Sequence, residues 1–274
     1  ISFYLKDVPN FFGYESTHEF LNQFSANSFQ GETILIKGAR SFKFDEIVVL
    51  LEQKTHETVL EINLNAVAHN LNFYKSRLKP ETKIMVMVKA FGYGAGSYEI
   101  AKELQYHHVD YLGVAYADEG VELRRAGITT SIIVMNPEPS TYATMLAYDL
   151  EPEIYSLRSL QGFIDFVKSR NASEYPIHLK LDTGMHRLGF ESEQLTEAIE
   201  MLRQNNWVKV ASIFSHLSSS DMPEYSDFTL SQIKKFDDWS SKIISELQIN
   251  PIRHILNTSG IYNFSQYQYD MVRL

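Results

Sequence analysis

The chain has 274 residues, of which 44% are hydrophobic, and its 25 basic and 34 acidic side chains give a net charge of -9. This acidic balance disfavours a nucleic-acid-binding protein, and the absence of cysteine excludes disulfides, thiolate zinc sites and cysteine nucleophiles. No apolar run approaches the roughly 18 residues of a membrane span, and the first residues lack a signal-peptide pattern. We therefore expect a cytoplasmic protein that acts on a small molecule, without a nucleic-acid or membrane partner.

The first 57 residues indicate a small α/β piece. Ser16 and Glu19 form a predicted capping box ahead of an apolar helix. Residues 33–37 (TILIK) predict a short buried strand, and the apolar positions of 47–51 predict a second helix. The polar segment 52–57 is the best candidate for a linker, so we place a domain boundary near residue 57.

Strands and helices alternate regularly after this boundary. Residues 59–64 are predicted to be extended, Asn65 to cap a helix, and Ser156 to cap a later amphipathic helix. Eight strands are predicted, at 84–88, 111–115, 131–135, 151–155, 177–181, 208–215, 253–256 and 270–274. Eight short apolar strands that alternate with helices indicate an α/β protein with a (β/α)8 TIM barrel. A doubly wound sheet is the alternative, but no G-x-G-x-x-G motif follows a strand.

A lysine and a glycine-rich turn follow the first predicted barrel strand. Chemistry in such barrels is located at the carboxyl ends of the strands, where Lys89 lies. A partly desolvated lysine offers a neutral amine for a Schiff base, whereas a lysine with its head in water is the simpler interpretation. Gly92, Gly94 and Gly96 allow backbone N–H groups to approach a ligand, and Ser97 begins a helix whose N-terminus attracts anions. Taken alone, the glycines are also compatible with a plain turn.

Two arginines are predicted at the same face of the barrel. Arg187 follows the fifth strand and Arg273 lies in the eighth. A guanidinium presents a fixed fork of donors, which suits a planar or anionic partner. The alternative is a structural ion pair with Asp182 or Asp270.

Three further basic residues lie in or directly after predicted strands. Lys180 points into the barrel or its packed wall, where it needs a partner or a modification that removes its charge. His216 is a candidate acid/base group, although a structural hydrogen-bond donor is the more common role for a lone strand-end histidine. His254 has the same two interpretations. No metal ligands are predicted.

Five motifs, in order, resemble those of alanine racemases, enzymes of fold-type III that use pyridoxal 5'-phosphate. They are VKAFGYGAG, HLKLDTGMHRLGF, FSHLSSSD, HILNTSG and DMVR, and the resemblance spans residues 58–274. Residues 1–57, notably ILIKGARSFKFDEIV, are similar to the end of the C-terminal domain of Mur ligases that add D-alanyl-D-alanine to the muramoyl tripeptide. The resemblance implies a bifunctional ligase and racemase of peptidoglycan synthesis, of which this chain is an internal stretch.

The resemblance also implies roles for the cofactor-binding residues. Lys89 would hold the cofactor covalently and act as one of two proton-transfer bases. Tyr93 and Thr258 would bind the phosphate. Arg273 would face the pyridine nitrogen, with His254 supporting it.

The remaining implied roles concern the substrate side. Arg187 would contact the cofactor's phenolic oxygen and the substrate carboxylate, oriented by Lys180, a residue that is often carbamylated in the family. His216 would line the ring and belong to the network of the opposing base, and Asn257 would be a nearby polar contact. The resemblance departs from the commoner motifs at Phe91-Gly92, Ala95 and His186.

The implied activity is the interconversion of L-alanine and D-alanine by a homodimer. In the family the second base is a tyrosine from a C-terminal β-domain of the partner subunit, and this sequence stops at the eighth strand. We therefore expect the chain as printed to racemise weakly or not at all. The alternatives are a non-catalytic pyridoxal-phosphate-binding barrel and another fold-type III enzyme, such as an amino-acid decarboxylase. Arg273 at the ring nitrogen, in place of a carboxylate, argues against the decarboxylase.

Overall fold

A computed structural model describes residues 12–24, 33–38, 42–51, 61–94 and 96–274, with the backbone only at residue 91. The chain divides into two compact units, Ile1–Leu60 and Glu61–Leu274. The predicted linker 52–57 and its boundary lie outside the described residues. Within those residues, no helix combines the length and the apolar character needed to cross a bilayer.

The first unit contains two short helices, α1 (Thr17–Gln23) and α2 (Asp45–Leu51). Ser16 Oγ accepts a hydrogen bond from Glu19 N at 3.1 Å, which confirms the predicted cap. The Glu19 carboxylate accepts from the backbone N–H of Glu15 and not from that of Ser16, so the reciprocal half of the predicted capping box is wrong. The predicted strand at 33–37 is wrong, because no described segment pairs with the backbone of residues 33–38.

The second unit alternates strands and helices. Its strands are β1 (Lys83–Met87), β2 (Tyr111–Val114), β3 (Ser131–Val134), β4 (Leu150–Ile154), β5 (Tyr175–Lys180), β6 (Val208–Phe214), β7 (Ile252–His254) and β8 (Met271–Arg273). Its helices are α3 (Leu64–Lys75), α4 (Lys89–Tyr93), α5 (Ser97–Tyr106), α6 (Ala117–Arg125), α7 (Tyr142–Ala147), α8 (Leu157–Ser169), α9 (Leu195–Arg203), α10 (Ser226–Leu247) and α11 (Thr258–Asn263). All eight predicted strands are confirmed, and no strand end differs from its predicted position by more than two residues.

Side-chain caps fix the starts of two helices. Asn63, not the predicted Asn65, caps α3 by accepting a hydrogen bond from Ala66 N, so Leu64 is helical rather than extended. A helix that begins at Leu64 presents that N–H at the position that a cap side chain reaches. Ser156 caps α8 as predicted, and this helix buries its apolar face against the barrel wall.

The strands form a parallel, nearly closed barrel. Hydrogen-bonded neighbours run in the order β7-β6-β5-β4-β3-β2-β1-β8. Two backbone hydrogen bonds cross the remaining seam: Asp270 N donates to Arg253 O at 3.1 Å, and Arg273 N donates to Leu256 O at 3.0 Å. The predicted (β/α)8 barrel is confirmed, and the doubly wound alternative is wrong.

The interior of the barrel has two chemically different halves. The apolar half lies mainly on β1, β3 and β8 and consists of Met85, Met87, Ile133, Met135 and Met271, with Tyr111 and Ile252 at its edges. The polar half lies on β4 to β7 and consists of Glu151, Glu153, His178, Lys180, Ser212 and His254. The two halves meet where the Tyr111 and His178 rings pack edge to face, with centroids 5.7 Å apart.

Candidate active site

A cavity of about 460 Å³ opens at the carboxyl ends of the strands. Every predicted site residue except His254 lines it. The lining residues are Met87, Lys89, Tyr93, Ala115, Tyr116, Met135, Asn136, Lys180, Arg187, Leu188, His216, Asn257, Thr258, Arg273 and Leu274. The structure therefore brings together side chains that are more than 180 positions apart in the sequence, because parallel strands place their carboxyl ends at one face.

Lys89 lies in a short helix directly after β1. It begins α4 and is exposed to the cavity, which agrees with the simpler interpretation of a lysine with its head in water and not with a partly desolvated lysine. Gly92 and Gly96 have positive φ angles of +62° and +92°, a conformation that glycine adopts without a steric penalty. Tyr93 is 64% exposed and lines the same cavity.

A carboxylate that the sequence analysis missed holds the Lys89 turn in place. Glu119, in the first turn of α6, accepts hydrogen bonds from Ala90 N and Ala115 N, both at 2.6 Å, and from Tyr116 N at 3.3 Å. Ala90 lies in α4, directly after β1, and Ala115 and Tyr116 lie in the loop after β2. The available signal was an acidic residue in the first turn of the helix after β2, where N–H groups lack helical partners.

The loop that carries Arg187 is shaped by Asp182. The Asp182 carboxylate accepts from the backbone N–H groups of Gly184, His186 and Arg187 at 3.0 to 3.1 Å. The Arg187 guanidinium is exposed and makes no hydrogen bond or ion pair within the described part of the chain, so the alternative of a structural pair with Asp182 is wrong. Atoms of Asp182, His186 and Glu191 lie within 4.8 Å of one another, but the Asp182 oxygens are already used by these N–H groups.

Arg273 and His216 form a contact at the cavity wall. The half-buried Arg273 donates from Nη2 to Nδ1 of His216. Burial lowers the pKa of Arg273, and the charge of Glu153 opposes that shift. Burial, and then the charges of Arg273 and Arg187, lower the pKa of His216 to about 3. His216 is therefore neutral near neutral pH and acts as an acceptor, so it offers no imidazolium proton for acid catalysis.

Asp270 does not pair with Arg273 in the described residues. Its carboxylate instead accepts from Arg253 N at 2.8 Å, which strengthens the seam between β7 and β8. The alternative of a structural ion pair is therefore wrong for Arg273 as well. Arg273 is consequently held by His216 and by its strand, with its charge directed to the cavity.

His254 lies below the cavity, in the polar half. Its ring stacks on Phe214 with centroids 4.8 Å apart and planes 3° apart, and its Nε2 lies 3.5 Å from Ser212 Oγ. Ser212 Oγ also contacts His178 Nδ1 at 2.7 Å, and His178 Nε2 contacts Glu151 at 2.8 Å. Burial, and then the charge of Arg273, lower the pKa of His254 well below its usual value.

Lys180 has a buried partner that the sequence analysis did not identify. Its Nζ donates to Glu153 Oε1 at 2.8 Å, and both side chains are almost completely buried. Glu151 and Glu153 are spaced two apart on β4, and His178 and Lys180 are spaced two apart on β5. This matched spacing of acids and bases on neighbouring strands was the signal in the sequence.

Asn257 and Thr258 lie where α11 begins. Asn257 Oδ1 accepts from Gly260 N at 2.9 Å and from Ser220 Oγ at 2.7 Å, while its Nδ2 donates to Leu217 O at 3.1 Å. The Asn257 side chain is therefore used to shape the loop, and only part of it faces the cavity. Thr258 is exposed and leaves its hydroxyl available to a ligand.

The cavity carries a concentration of positive charge. Lys89, Lys180, Arg187 and Arg273 line it, and none of the lining residues is acidic. Hydroxyl groups of Tyr93 and Thr258 add neutral donors at the rim. This arrangement suits a small molecule with more than one anionic group, and Lys89 supplies a primary amine beside it.

Comparison with known proteins gives consistent matches over the second unit. The family model for the alanine racemase N-terminal domain matches residues 62–274. Alanine racemase 1 of Oceanobacillus iheyensis is 32% identical over 217 residues, covering 78% of this chain and 57% of that protein. Alanine racemase of Fusobacterium nucleatum subsp. nucleatum is 38% identical over 209 residues, covering 76% and 56%.

A solved structure agrees with these relatives. Alanine racemase of Clostridium difficile in complex with cycloserine has a TM-score of 0.73 and 31% identity, covering 80% of this chain and 61% of that one. The chain thus spans a little over half the length of the curated relatives described above.

Proposed function

We propose, because this chain belongs to the alanine racemase N-terminal domain family, that it is the cofactor-binding barrel of an enzyme that interconverts L-alanine and D-alanine. The observation that carries the proposal is the single cavity at the carboxyl ends of the strands. It gathers Lys89, Arg187, His216 and Arg273 from four loops or strands. The proposed cofactor is pyridoxal 5'-phosphate.

The residues of the cavity fit this cofactor by their chemistry. Lys89 offers the primary amine that a cofactor aldehyde requires, and Tyr93 and Thr258 offer hydroxyl donors for its phosphate. Positive charge on the wall, without an acidic lining residue, suits a phosphate and a substrate carboxylate together. When bound, the cofactor stabilises the negative charge that develops at the substrate α-carbon as its proton leaves.

Arg273 would determine the protonation state of the cofactor's ring nitrogen. A guanidinium does not give up its proton, so it donates to a ring nitrogen without protonating it. The neutral His216 accepts from Arg273 and so fixes the direction of that donor. A ring nitrogen that stays unprotonated withdraws charge less strongly, which favours return of the proton to the α-carbon over other reactions.

Proton transfer requires a base on each face of the substrate, because inversion removes the proton from one side and adds it to the other. We assign Lys89 to one face, and Arg187 to the substrate carboxylate, since its guanidinium is exposed and unpaired among the described residues. We propose that the opposing base is the tyrosine that the family resemblance implies, from the partner subunit of a homodimer.

The named relatives favour the racemase over the binding-barrel alternative, because those that match over more than three quarters of this chain are alanine racemases. We also propose cytoplasmic peptidoglycan precursor synthesis as the setting. We further propose that residues 1–57 are the end of a Mur ligase C-terminal domain. The similarity of ILIKGARSFKFDEIV to that domain supports the last assignment.

The proposal is tested by locating the cofactor adduct. Addition of pyridoxal 5'-phosphate, borohydride reduction and peptide mass mapping should place the label on Lys89. Lys89→Ala should lose it and should abolish D-alanine formation by the full-length protein. Lys83→Ala is the matched control, because Lys83 lies at the opposite end of β1 and pairs with Asp110 at 3.1 Å. A label elsewhere, or turnover retained in Lys89→Ala, would refute the assignment.

A further inference from the structure

The buried pair of Lys180 and Glu153 lies directly beneath the cavity. Lys180, at the end of β5, is only 5% exposed, and Glu153, on β4, is 0% exposed. Lys180 Nζ lies 2.8 Å from Glu153 Oε1. Glu153 Oε2 has no hydrogen-bond partner among the described residues.

Positive charges outnumber negative charges around this pair. Lys89, Arg187 and Arg273 line the same cavity as Lys180, and none of the lining residues supplies a carboxylate. Glu153 is the acidic partner of Lys180. Burial raises the pKa of Glu153, and the charges of Lys180 and the arginines oppose that shift. A buried ammonium is tolerated only with a counter-charge, so Lys180 depends on Glu153.

A buried lysine can lose its charge in another way. A neutral amine adds dissolved carbon dioxide, R–NH2 + CO2 → R–NH–COO⁻ + H⁺, forming a carbamate C–N bond and releasing one proton. The product is an anion. In this chain it would lie beside the buried carboxylate of Glu153, and two anions that share a low-dielectric site repel strongly.

We propose that Glu153 is a positioning residue that keeps Lys180 as an unmodified ammonium, by supplying from the protein the negative charge that carbamylation would otherwise supply. The family resemblance implies a lysine that is often carbamylated, so this chain departs from that pattern. The inference does not rest on the proposed function, because it concerns two side chains that meet without a cofactor.

Removal of the negative charge of Glu153 should allow Lys180 to become carbamylated. In Glu153→Gln the lysine is still buried beneath two arginines but has no counter-charge, which favours the neutral amine and its reaction with carbon dioxide. The resulting carbamate would then neutralise the arginines. Glu151→Gln is the matched control, because Glu151 lies two residues earlier on β4 and bonds to His178 rather than to a lysine.

The experiment is carbon NMR of the whole chain, without cofactor, in ¹³C-labelled bicarbonate. We expect no carbamate signal from the wild type or Glu151→Gln, and a signal from Glu153→Gln that a second change, Lys180→Met, removes. Circular dichroism checks that each variant is folded, and Glu153→Leu replaces the glutamine variant if that variant does not fold. A wild-type signal that Lys180→Met removes would overturn the proposal, and so would a folded, signal-free Glu153 variant.

Discussion

The two halves of the barrel interior are filled by side chains of different chemistry. The apolar half fills its space with methionine and isoleucine side chains that make no demand on hydrogen bonding. The polar half buries two carboxylates, two histidines, a lysine and a serine, and contacts among them satisfy nearly every group. The polar groups lie on the strands that lead to Arg187 and His216. The comparison indicates that charged side chains are buried in the half of the interior that lies beneath the charged residues of the cavity. Their burial costs solvation free energy, and the apolar half avoids that cost.

The largest effect is expected when one partner of the ion pair is removed. Lys180→Met leaves the Glu153 carboxylate buried and unpaired, which should cost about 3 to 5 kcal/mol of unfolding free energy. The double variant Lys180→Met with Glu153→Leu should recover most of this loss, because it makes the region resemble the apolar half. Urea unfolding of the single and double variants measures both effects. A double variant as unstable as Lys180→Met would show that the pair is a net stabiliser.

A smaller loss is expected in the apolar half. Met85 is 1% exposed, and Met85→Ala opens a void that flanking side chains fill only in part. The expected cost is about 2 to 4 kcal/mol. Met85→Ala leaves no charged group without its partner. The loss of unfolding free energy should therefore be the same at every pH at which the protein is folded, whereas the loss in Lys180→Met should depend on pH. Urea unfolding at several pH values would contradict the comparison if the Met85→Ala loss changed with pH.

The smallest effect near neutral pH is the pH dependence of stability that arises from the histidines in and beside the polar half. Folding lowers the pKa of His216 from 6.5 to about 3 and lowers that of His254 in the same direction. Between these pH values the unfolded chain binds more protons than the folded one, so stability is complete above 6.5 and falls as the pH decreases. Each histidine contributes at most about 1.4 kcal/mol per pH unit. His216→Gln should make the slope shallower, and an unchanged slope would remove His216 as its source.

Much of the barrel could be predicted from the sequence because its strands are short apolar runs separated by amphipathic helices. The cap at Ser156 was predictable for the same reason, since it precedes a clear apolar face. The strand at 33–37 was not, because a run such as TILIK forms a strand only where a neighbour pairs with it. Asn63 and Asn65 offer equivalent caps in the sequence, and only the helix phase distinguishes them.

The sequence predicted which residues line the candidate site, but it did not predict which side chains contact them. Lys89, Arg187 and Arg273 follow from their positions at strand ends and from the motifs. The partners Glu119 and Glu153 were missed, since their contacts join different loops and strands. The neutral state of His216 was missed as well, because it depends on burial beside two arginines that are far away in sequence.

The seam between β7 and β8 has a consequence for synthesis of the protein. Arg273 lies on the last of the eight strands to leave the ribosome, and β8 must pair with β1, almost 190 positions earlier, before the wall exists. During synthesis the chain therefore contains Lys89 well before it contains the arginine that lines the same cavity. The cavity lined by Lys89 and Arg273 is therefore complete only after β8 has paired with β1, which makes its assembly a late and long-range step of folding.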